Sequence, residues 1–440
     1  MEWKEHCYRV GSNSGAFDVV PSDITELAQF TSKARKSIEP WLSAVFQSEH
    51  LNLVLGSGFT SAIGFAAGAK ATDMSKVTFG TDFDEKINEH AARSATNMER
   101  GEPNIEDQFR SALAVLEGLE VIDPTKAKKV EKKIDEQLLK FLQSLLETES
   151  GIRKGASTEK RVKAEGLLVS FLLSFASRTA TRERLHIFTT NYDRLIEHGC
   201  DLAGLRIIDR FVGALNPVFR SARIEVDMHY NPPGIRGEPR FMEGVIRLSK
   251  LHGSLDWHYD AEARLIRKNV IPFGAGKEHS DVPKRPIESV MIYPNPAKDV
   301  ETTQYPYAEL FRDFAAAVCK PNSVVVTYGY GFGDDHINRV LKDMLTIPST
   351  HLVIIAWHRP GTLTDARIRS FCSSQREAQI SLLVGSHFAD ITKLVEFYLP
   401  KPALDFITGR MTELLKNRPT EAVVVETASS SDSTTGLEAI

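Results

Sequence analysis

The fold is decided by residues 185–199, which read LHIFTTNYDRLIEHG. Three of the first four residues are apolar and predict a buried strand, and the polar run TTNYD ends it. A helical pattern begins at once around Leu195, as in the strand–helix units of a parallel α/β sheet. In such sheets ligands lie at the carboxyl edge of the strands, near the positive N-termini of the helices. Asn191 and Asp193 would lie at this edge, where they either serve a ligand or simply cap the helix.

A second strand end of this kind lies upstream, in residues 51–65, LNLVLGSGFTSAIGF. The apolar strand is followed by Gly56, Ser57 and Gly58, and then by a helix start made of small residues. Glycines at such a turn allow the backbone to approach a pyrophosphate, which main-chain N–H groups and the helix dipole then hold. The pattern is not the full G-x-G-x-x-G fingerprint, and many tight strand-to-helix turns look like it.

Two more strand ends carry polar or glycine residues. The stretch VIRLSKLHGSLDWHYD places His252 directly after an apolar run. Residues 323–341, SVVVTYGYGFGDDHINRVL, have a glycine-rich exit that includes Gly329, Tyr330 and Gly331. Each motif is weak by itself, but strand ends that share this character are expected if they converge on one nucleotide.

We therefore predict an α/β protein with a Rossmann-like parallel sheet, formed by residues 51–74 and 185–410. Between the first two core strands, residues 75–184 have mainly helical periodicity and predict a large all-helical insertion domain. Residues 1–50 predict a helical lead-in, with one amphipathic helix before the first core strand. Residues 411–440 are rich in Ser and Thr and predict a flexible C-terminal tail.

Composition limits the classes of protein to consider. Of the 440 residues, 42% are hydrophobic and 25% are charged, which is ordinary for a soluble globular protein. The formal net charge of -4 gives no general attraction to nucleic acid or to anionic membranes. The N-terminal sequence lacks the features of a secretory signal, and no apolar run reaches the length that spans a bilayer. We expect a cytoplasmic protein that binds neither membranes nor nucleic acid directly.

The four cysteines, Cys7, Cys200, Cys319 and Cys372, are far apart in the sequence. Structural zinc sites usually take their ligands in close pairs, because a short turn presents two thiolates to one ion. The spacing therefore predicts no metal site, and it favours buried thiols in a reducing compartment.

Taken together, the motifs resemble those of the sirtuin fold. The G-S-G turn at 56–58, the TNYD box at 190–193, the His-Gly pair at 252–253 and the loop at 329–334 follow one another in the sirtuin order. The motifs TTNYD, LHGSLDW and GYGFGD are most similar to those of the bacterial sirtuin-like proteins of anti-phage defence. The resemblance covers roughly residues 50–360.

The resemblance has one departure. Sirtuin deacetylases carry two cysteine pairs shortly after the His-Gly motif, whereas this chain has no cysteine between His252 and Cys319. The comparison with sirtuins therefore implies that the helical insertion replaces their zinc module, and it disfavours a protein deacylase.

The resemblance implies an NAD⁺ hydrolase that releases nicotinamide and ADP-ribose, with NAD⁺ as the substrate and no further cofactor. Asn191 would orient the ribose hydroxyls or a water, and His252 would accept a proton from one of them. Asp193 would order the loop or bind a hydroxyl, while the glycine-rich turns, with Ser57 and Tyr330, would hold the phosphates. The alternative for His252 is a core or capping histidine. The alternative function is that of a regulatory subunit of a defence complex, which senses NAD⁺ or ADP-ribose without cleaving it.

The resemblance also implies partners. Relatives of this kind deplete NAD⁺ in infected cells and work beside a hexameric HerA-type ATPase, an Argonaute or a fused sensor domain. The resemblance therefore implies abortive infection with a separate partner, and we expect a HerA-type ATPase. The apolar faces of the long helical insertion predict a homo-oligomer, because large exposed apolar patches mark interfaces. If the helices instead pack on each other as a closed bundle, the chain would be a monomer.

Overall fold

The structure, a computed structural model, describes residues 4–72, 75–97, 101–221, 226–230, 240–292, 306–357 and 361–401. Its strands are β1 His6–Val10, β2 Asn13–Phe17, β3 His50–Leu55, β4 His186–Thr189, β5 Arg206–Ile208, β6 Phe211–Val212, β7 Val218–Phe219, β8 His229–Tyr230, β9 Arg240–Phe241, β10 Val245–Lys250, β11 Gly253–Asp260, β12 Leu265–Lys268, β13 Val290–Ile292, β14 Ser323–Tyr328, β15 His351–Ala356 and β16 Ile380–Val384. Its helices are α1 Ile24–Phe46, α2 Ser57–Ala67, α3 Asp84–Asn97, α4 Ile105–Ile122, α5 Pro124–Lys154, α6 Thr158–Ala176, α7 Leu195–Ala203, α8 Pro286–Ser289, α9 Tyr307–Val318, α10 Asp335–Met344, α11 Leu363–Ser373 and α12 Ile391–Lys393.

The central sheet has nine strands in the order β2-β1-β16-β15-β14-β3-β4-β10-β5. From β16 to β5 all neighbouring strands pair in parallel, and only β1 and β2 join antiparallel. The mostly parallel α/β sheet that the sequence predicted is therefore confirmed. Its inner strands are short runs of buried apolar residues, as expected for strands covered on both faces.

The strand order reverses at the centre of the sheet. From β3 the chain continues to β4 and β10 on one side, and from β14 to β15 and β16 on the other. β3 and β14 lie side by side, with Leu55 paired to Tyr328 at their carboxyl ends. Such a reversal is the point where open α/β sheets bind their ligands.

Side chains of each strand alternate between two apolar cores, because successive residues of a strand point to opposite faces. In β3, Leu53 and Leu55 contribute to a core that includes α1, α2, α6 and α7, whereas Val54 contributes to a core that includes α9, α10 and α11. Both faces of the sheet are thus covered by helices.

The helices between β3 and β4 belong to two cores. Phe171 and Phe175 of α6 lie in the same core as α2 and the sheet. By contrast, α4 and α5 form a third core with the residues around β11 and β13, to which Leu255 and Val290 contribute. The segment 75–184 thus has no single core of its own, and its status as an inserted domain stays a prediction.

The chain after His252 forms strands. β11, β12 and β13 join β6 and β7 in a five-stranded sheet whose neighbouring strands are antiparallel where their register is defined. The stretch in which the resemblance would place zinc ligands is therefore occupied by this smaller sheet, which α4, α5 and α8 cover.

The N-terminal segment differs from the helical lead-in that was predicted for residues 1–50. Helix α1 is present, but β1 and β2 precede it as a hairpin, and β1 pairs with β16 through Cys7 and Val384. A five-residue strand with His and Arg in it gives little signal in sequence, because its buried face exists only once β16 lies beside it. None of the helices in the described part of the chain is both long and apolar enough to cross a membrane. The predicted tail, residues 411–440, lies outside the described residues.

Candidate functional site

A cavity of about 260 Å³ opens at the carboxyl ends of β3, β4 and β14, where the strand order reverses. Seven predicted site residues line it: Gly56, Ser57, Asn191, Asp193, His252, Tyr330 and Gly331. The other two, Gly58 and Gly329, line an adjoining cavity of about 1190 Å³. Ser57, Tyr330 and Gly331 line both cavities, so the two meet at the glycine-rich turns.

The glycines of the two turns are required by their mutual packing. A Cβ atom on Gly58 would lie 2.7 Å from the Cα of Gly329, and a Cβ atom on Gly329, whose φ is +62°, would lie 2.5 Å from the Phe59 nitrogen. The N–H of Gly58 donates to the Gly329 carbonyl at 3.0 Å, so it is not directed at a ligand. Gly331 differs, because a Cβ atom there would meet no heavy atom within 4 Å. Of these glycines, Gly331 is the one at which the backbone faces open space.

Asn191 is held by the turn that follows β3. Its Nδ2 donates to the Gly56 carbonyl at 3.0 Å and to the Thr60 hydroxyl at 3.1 Å. Thr60 donates in turn to Asp193 Oδ2 at 2.8 Å, while Asp193 Oδ1 accepts from the N–H of Leu195 at 3.1 Å. Asp193 thus orders the loop and also satisfies the first amide of α7. Both amide hydrogens of Asn191 are engaged, so its Oδ1 is the atom that it can offer to a ligand.

Buried charges anchor the loop that carries Asn191. Lys250, the last residue of β10, donates from Nζ to the Asp193 carbonyl at 2.5 Å. On the other side, Glu149 of α5 accepts from Arg194 Nη2 at 2.6 Å and from the Arg194 N–H at 2.8 Å. Buried charges are tolerated when they are paired and hydrogen-bonded in this way, and removing one partner is strongly destabilising. The loop is therefore firmly positioned from both sides.

His252 is buried between two carboxylates. Its Nε2 lies 2.8 Å from Asp334 Oδ2, and its Nδ1 lies 3.4 Å from Glu106 Oε1. Burial opposes a charge on the ring, but the hydrogen bonds and charges of Asp334 and Glu106 outweigh burial and raise the pKa of His252 to about 10. In this state the ring is therefore an imidazolium at neutral pH.

Asp334 is held by the loop that follows β14. Its Oδ1 accepts from the N–H groups of His336 and Ile337 and so caps α10, which leaves Oδ2 for His252. Within the loop, Tyr330 donates to the Asp334 carbonyl at 3.1 Å. Phe332 has a φ of +51°, which is rare for a bulky residue, and its ring packs on those of Tyr330 and Phe371. The surrounding aromatic packing holds this strained conformation in place.

Glu106 is a site residue that the sequence reasoning did not find. It lies in the first turn of α4, yet its Oε1 accepts from the Tyr192 hydroxyl at 2.5 Å and also faces His252. The local signal near Glu106 is the capping box of Asn104 and Asp107. A capping box predicts where a helix begins, but it does not predict which part of the fold the helix packs against. Asp334 and Thr60 were also missed, although both lie within the motifs that were recognised.

The smaller cavity is rich in carboxylates. Glu102, Glu106, Asp193 and Asp334 line it, together with the cationic side chain of Arg367 from α11. A cavity with this balance favours a ligand group that carries or develops positive charge. In the larger cavity the charged lining residues are Glu159, Lys160, Lys163 and Asp390, and the aromatic ones include Phe65 and Trp357.

Residues 185–380 match the family model described as a SIR2-like domain. This segment of the chain resembles sirtuins. The match includes Asn191, His252 and the loop at 329–334, and it begins after the G-S-G turn at 56–58. It supports a sirtuin-like family and is consistent with an NAD-dependent enzyme. No curated protein matches the chain.

The described ranges contain no group of three or more His, Cys, Asp or Glu side chains that could hold a metal ion. Cys7, Cys200 and Cys372 are buried, and burial raises the pKa of each thiol above its ordinary value. These three thiols are therefore inert apolar groups in the core.

Proposed function

We propose that this protein cleaves the nicotinamide–ribose bond of NAD⁺ and releases nicotinamide and ADP-ribose. The observation that carries the proposal is the joint placement of Asn191, His252 and the two glycine-rich turns around a carboxylate-rich cavity at the switch point of the sheet. The match of residues 185–380 to a SIR2-like domain also supports the proposal, because it is consistent with an NAD-dependent enzyme.

The two cavities suit the two halves of a dinucleotide. The smaller cavity would take the nicotinamide riboside, and the larger one, with Phe65 and Trp357 in its lining, would take the adenosine. The pyrophosphate would cross at Ser57 and Gly331, beside the N-terminus of α2, where backbone N–H groups and the helix dipole favour an anion.

The electrostatics of the smaller cavity suit the reaction. Nicotinamide leaves as a neutral molecule from a cationic ring, and the ribose becomes oxocarbenium-like in the transition state. Carboxylates that line the cavity, such as Asp193 and Asp334, would stabilise this positive charge. Asn191 would accept a hydrogen bond through Oδ1 from a ribose hydroxyl or from the attacking water, because its Nδ2 is already engaged.

His252 needs one further step before it can act as a base. An imidazolium has no lone pair to accept a proton, and the contact with Asp334 keeps the ring charged. Base catalysis therefore requires this contact to open when substrate enters, so that Nε2 loses its proton. Ligand-free geometry of this kind does not argue against a catalytic group, because catalytic hydrogen bonds form fully only with substrate bound.

The direct test is the release of nicotinamide from NAD⁺, followed by chromatography, with ADP-ribose as the second product. Asn191→Ala serves as the matched negative control. Binding of NAD⁺ without any release, under every activating condition tried, would favour the alternative of a non-hydrolytic sensing subunit.

We also propose, on the resemblance alone, a role in anti-phage defence through NAD⁺ depletion, as a homo-oligomer beside a HerA-type hexameric ATPase. Light scattering at micromolar concentration tests the oligomer: a monomer mass near 49.0 kDa with activity unchanged on dilution would exclude it. Co-purification with an ATPase encoded beside the gene tests the partner.

A further inference from the structure

Glu106 has an unusual position for a helix carboxylate. Glutamate side chains are rarely buried unless they are paired, yet Glu106 is buried and its carboxylate faces two groups of the sheet edge. The helix that carries it lies in the segment 75–184, which supplies none of the recognised sequence motifs. At the start of its own helix, Asn104 Nδ2 donates to Glu106 Oε2 at 3.5 Å.

The first turn of α4 fixes where this carboxylate lies. The side chain of Asn104 accepts from the N–H of Asp107 at 3.0 Å, and Asp107 accepts from the N–H of Asn104 at 3.1 Å. This reciprocal capping orders the turn, and the positive helix N-terminus favours a negative charge there. Glu106 is therefore held in place by its own helix before it reaches His252.

Its two contacts connect the histidine to the Asn191 loop. Glu106 Oε1 accepts from the Tyr192 hydroxyl at 2.5 Å, and the same oxygen lies 3.4 Å from His252 Nδ1. Burial and the Glu106 charge raise the pKa of Tyr192 well above its ordinary value, so the phenol remains a neutral donor. Because Tyr192 adjoins Asn191, one carboxylate sets the relative position of both predicted catalytic side chains.

We propose that Glu106 is a positioning residue of the site, which holds the proton on Nδ1 of His252 and leaves Nε2 as the nitrogen that exchanges protons with the substrate. A carboxylate at one ring nitrogen selects the tautomer in this way in hydrolase triads and at metal-bound histidines. This inference depends on the proposed function only for the identity of the substrate.

Other charged or titratable groups also face the ring or its neighbours. Asp334 contacts Nε2 from the loop after β14, Tyr192 faces the ring from the loop after β4, and Tyr307 of α9 interacts with Tyr192. Glu102 and Arg367 line the same cavity. Since Asp334 remains in place in a Glu106 variant, the two carboxylates can be separated by experiment.

The first test uses the whole protein without NAD⁺. The ring of His252 is titrated by long-range ¹H–¹⁵N NMR, and a His252→Gln variant identifies its resonances. In Glu106→Gln the pKa of His252 should fall by about 1–3 units, because one of the two negative charges next to the ring is removed. Glu117→Gln, an exposed position on the same helix, should leave that pKa unchanged. An unchanged pKa in Glu106→Gln would overturn the proposal.

The second test measures nicotinamide release by the same variants. Glu106→Gln should lower kcat about 10–100-fold with a small change in KM, and should shift the pH profile, as for partners that orient a catalytic ligand. Glu106→Asp keeps the charge and should recover part of the activity. If Glu106→Gln does not fold, the pKa of His252 is titrated in Glu106→Asp instead, where a smaller fall is expected. No release by the wild type would count against NAD⁺ hydrolysis, while the titration would still decide the role of Glu106.

Discussion

Two buried histidines lie at opposite ends of neighbouring strands of the central sheet and differ in charge. His186 begins β4, and His252 follows the end of the neighbouring strand β10. Burial disfavours a charge on both rings, and for His186 it lowers the pKa well below the ordinary value, with Arg247 and Lys320 acting in the same direction. For His252 two carboxylates reverse the effect of burial and raise the pKa to about 10.

The difference shows that the neighbours decide the charge of a buried histidine here, whereas burial alone does not. His186 stacks on Phe188 at 3.9 Å between ring centroids, and its Nε2 shares a hydrogen bond with Ser249 at 2.9 Å, which suits a neutral core residue. His252 has a carboxylate at each ring nitrogen. A buried histidine whose pKa is strongly raised by specific partners, and which lines a cavity, is a candidate for chemistry.

The largest expected effect is on the rate of nicotinamide release, which should depend on His252 but not on His186. Asn191→Ala and His252→Ala should each lower nicotinamide release by about 10²-fold or more, because under the proposed function each removes a group that acts at the reacting bond. His186→Gln should retain turnover, since it lies at the other edge of the sheet. Chromatographic rates on folded variants decide this, and wild-type turnover in His252→Ala would show that the catalytic assignment is wrong.

The second effect concerns the loop that brings Asp334 to His252, which has no counterpart at His186. Gly329→Ala should lower the free energy of unfolding by about 3 kcal/mol, because its Cβ would meet the Phe59 nitrogen at 2.5 Å in a left-handed conformation. Gly331→Ala is the matched control, with open space at its Cβ, and should change stability by about 0.5 kcal/mol or less. Urea unfolding of both variants is the measurement, and equal midpoints would contradict the packing argument.

The third effect tests the charge comparison itself. Asp334→Asn should lower the pKa of His252 by about 1–3 units, because it removes the opposite charge 2.8 Å from Nε2. The pKa of His186, at the far edge, should not move. NMR titration of the two rings in one sample provides an internal control, and a shift of both would indicate a general rearrangement.

The smallest effect is a pair of opposite pH dependences of stability. The folded pKa of His252 is raised, so its stabilisation is complete below the unfolded value of 6.5 and is lost as pH rises towards about 10. The folded pKa of His186 is lowered, so its stabilisation is complete above 6.5 and is lost as pH falls.

Urea unfolding across this pH range measures the difference between each variant and the wild type. His252→Asn should remove part of the alkaline loss of stability, and His186→Asn should remove part of the acid loss. Each change should be on the order of 1 kcal/mol per pH unit within the relevant range, because one bound proton changes stability by about 1.4 kcal/mol per pH unit. Slopes of the same sign for the two variants would refute the comparison.

Much of the fold could be predicted because the core strands have a strong local signal. The apolar runs that precede the TTNYD box and the G-S-G turn predicted strands that the structure has as β4 and β3, and the helix expected around Leu195 is α7. β1 could not be predicted, since its burial depends on β16, which lies more than 300 residues away in the chain, and β2 joins the sheet through β1. The limits of the helical segment could not be predicted, because α6 follows α4 and α5 as a further helix but packs largely on a different core.

The sequence by itself determined the glycine-rich turns, the polar strand ends and their order, because these features are local and each follows from the backbone of a strand-to-helix turn. Only the tertiary structure decided which side chains face the cavity from elsewhere. Glu106 and Asp334 meet His252 although the three lie on separate elements, and their distances set the charge of the ring. The physical reason is that electrostatic interactions depend on separation in space and on burial, and neither is encoded in the spacing of residues along the chain.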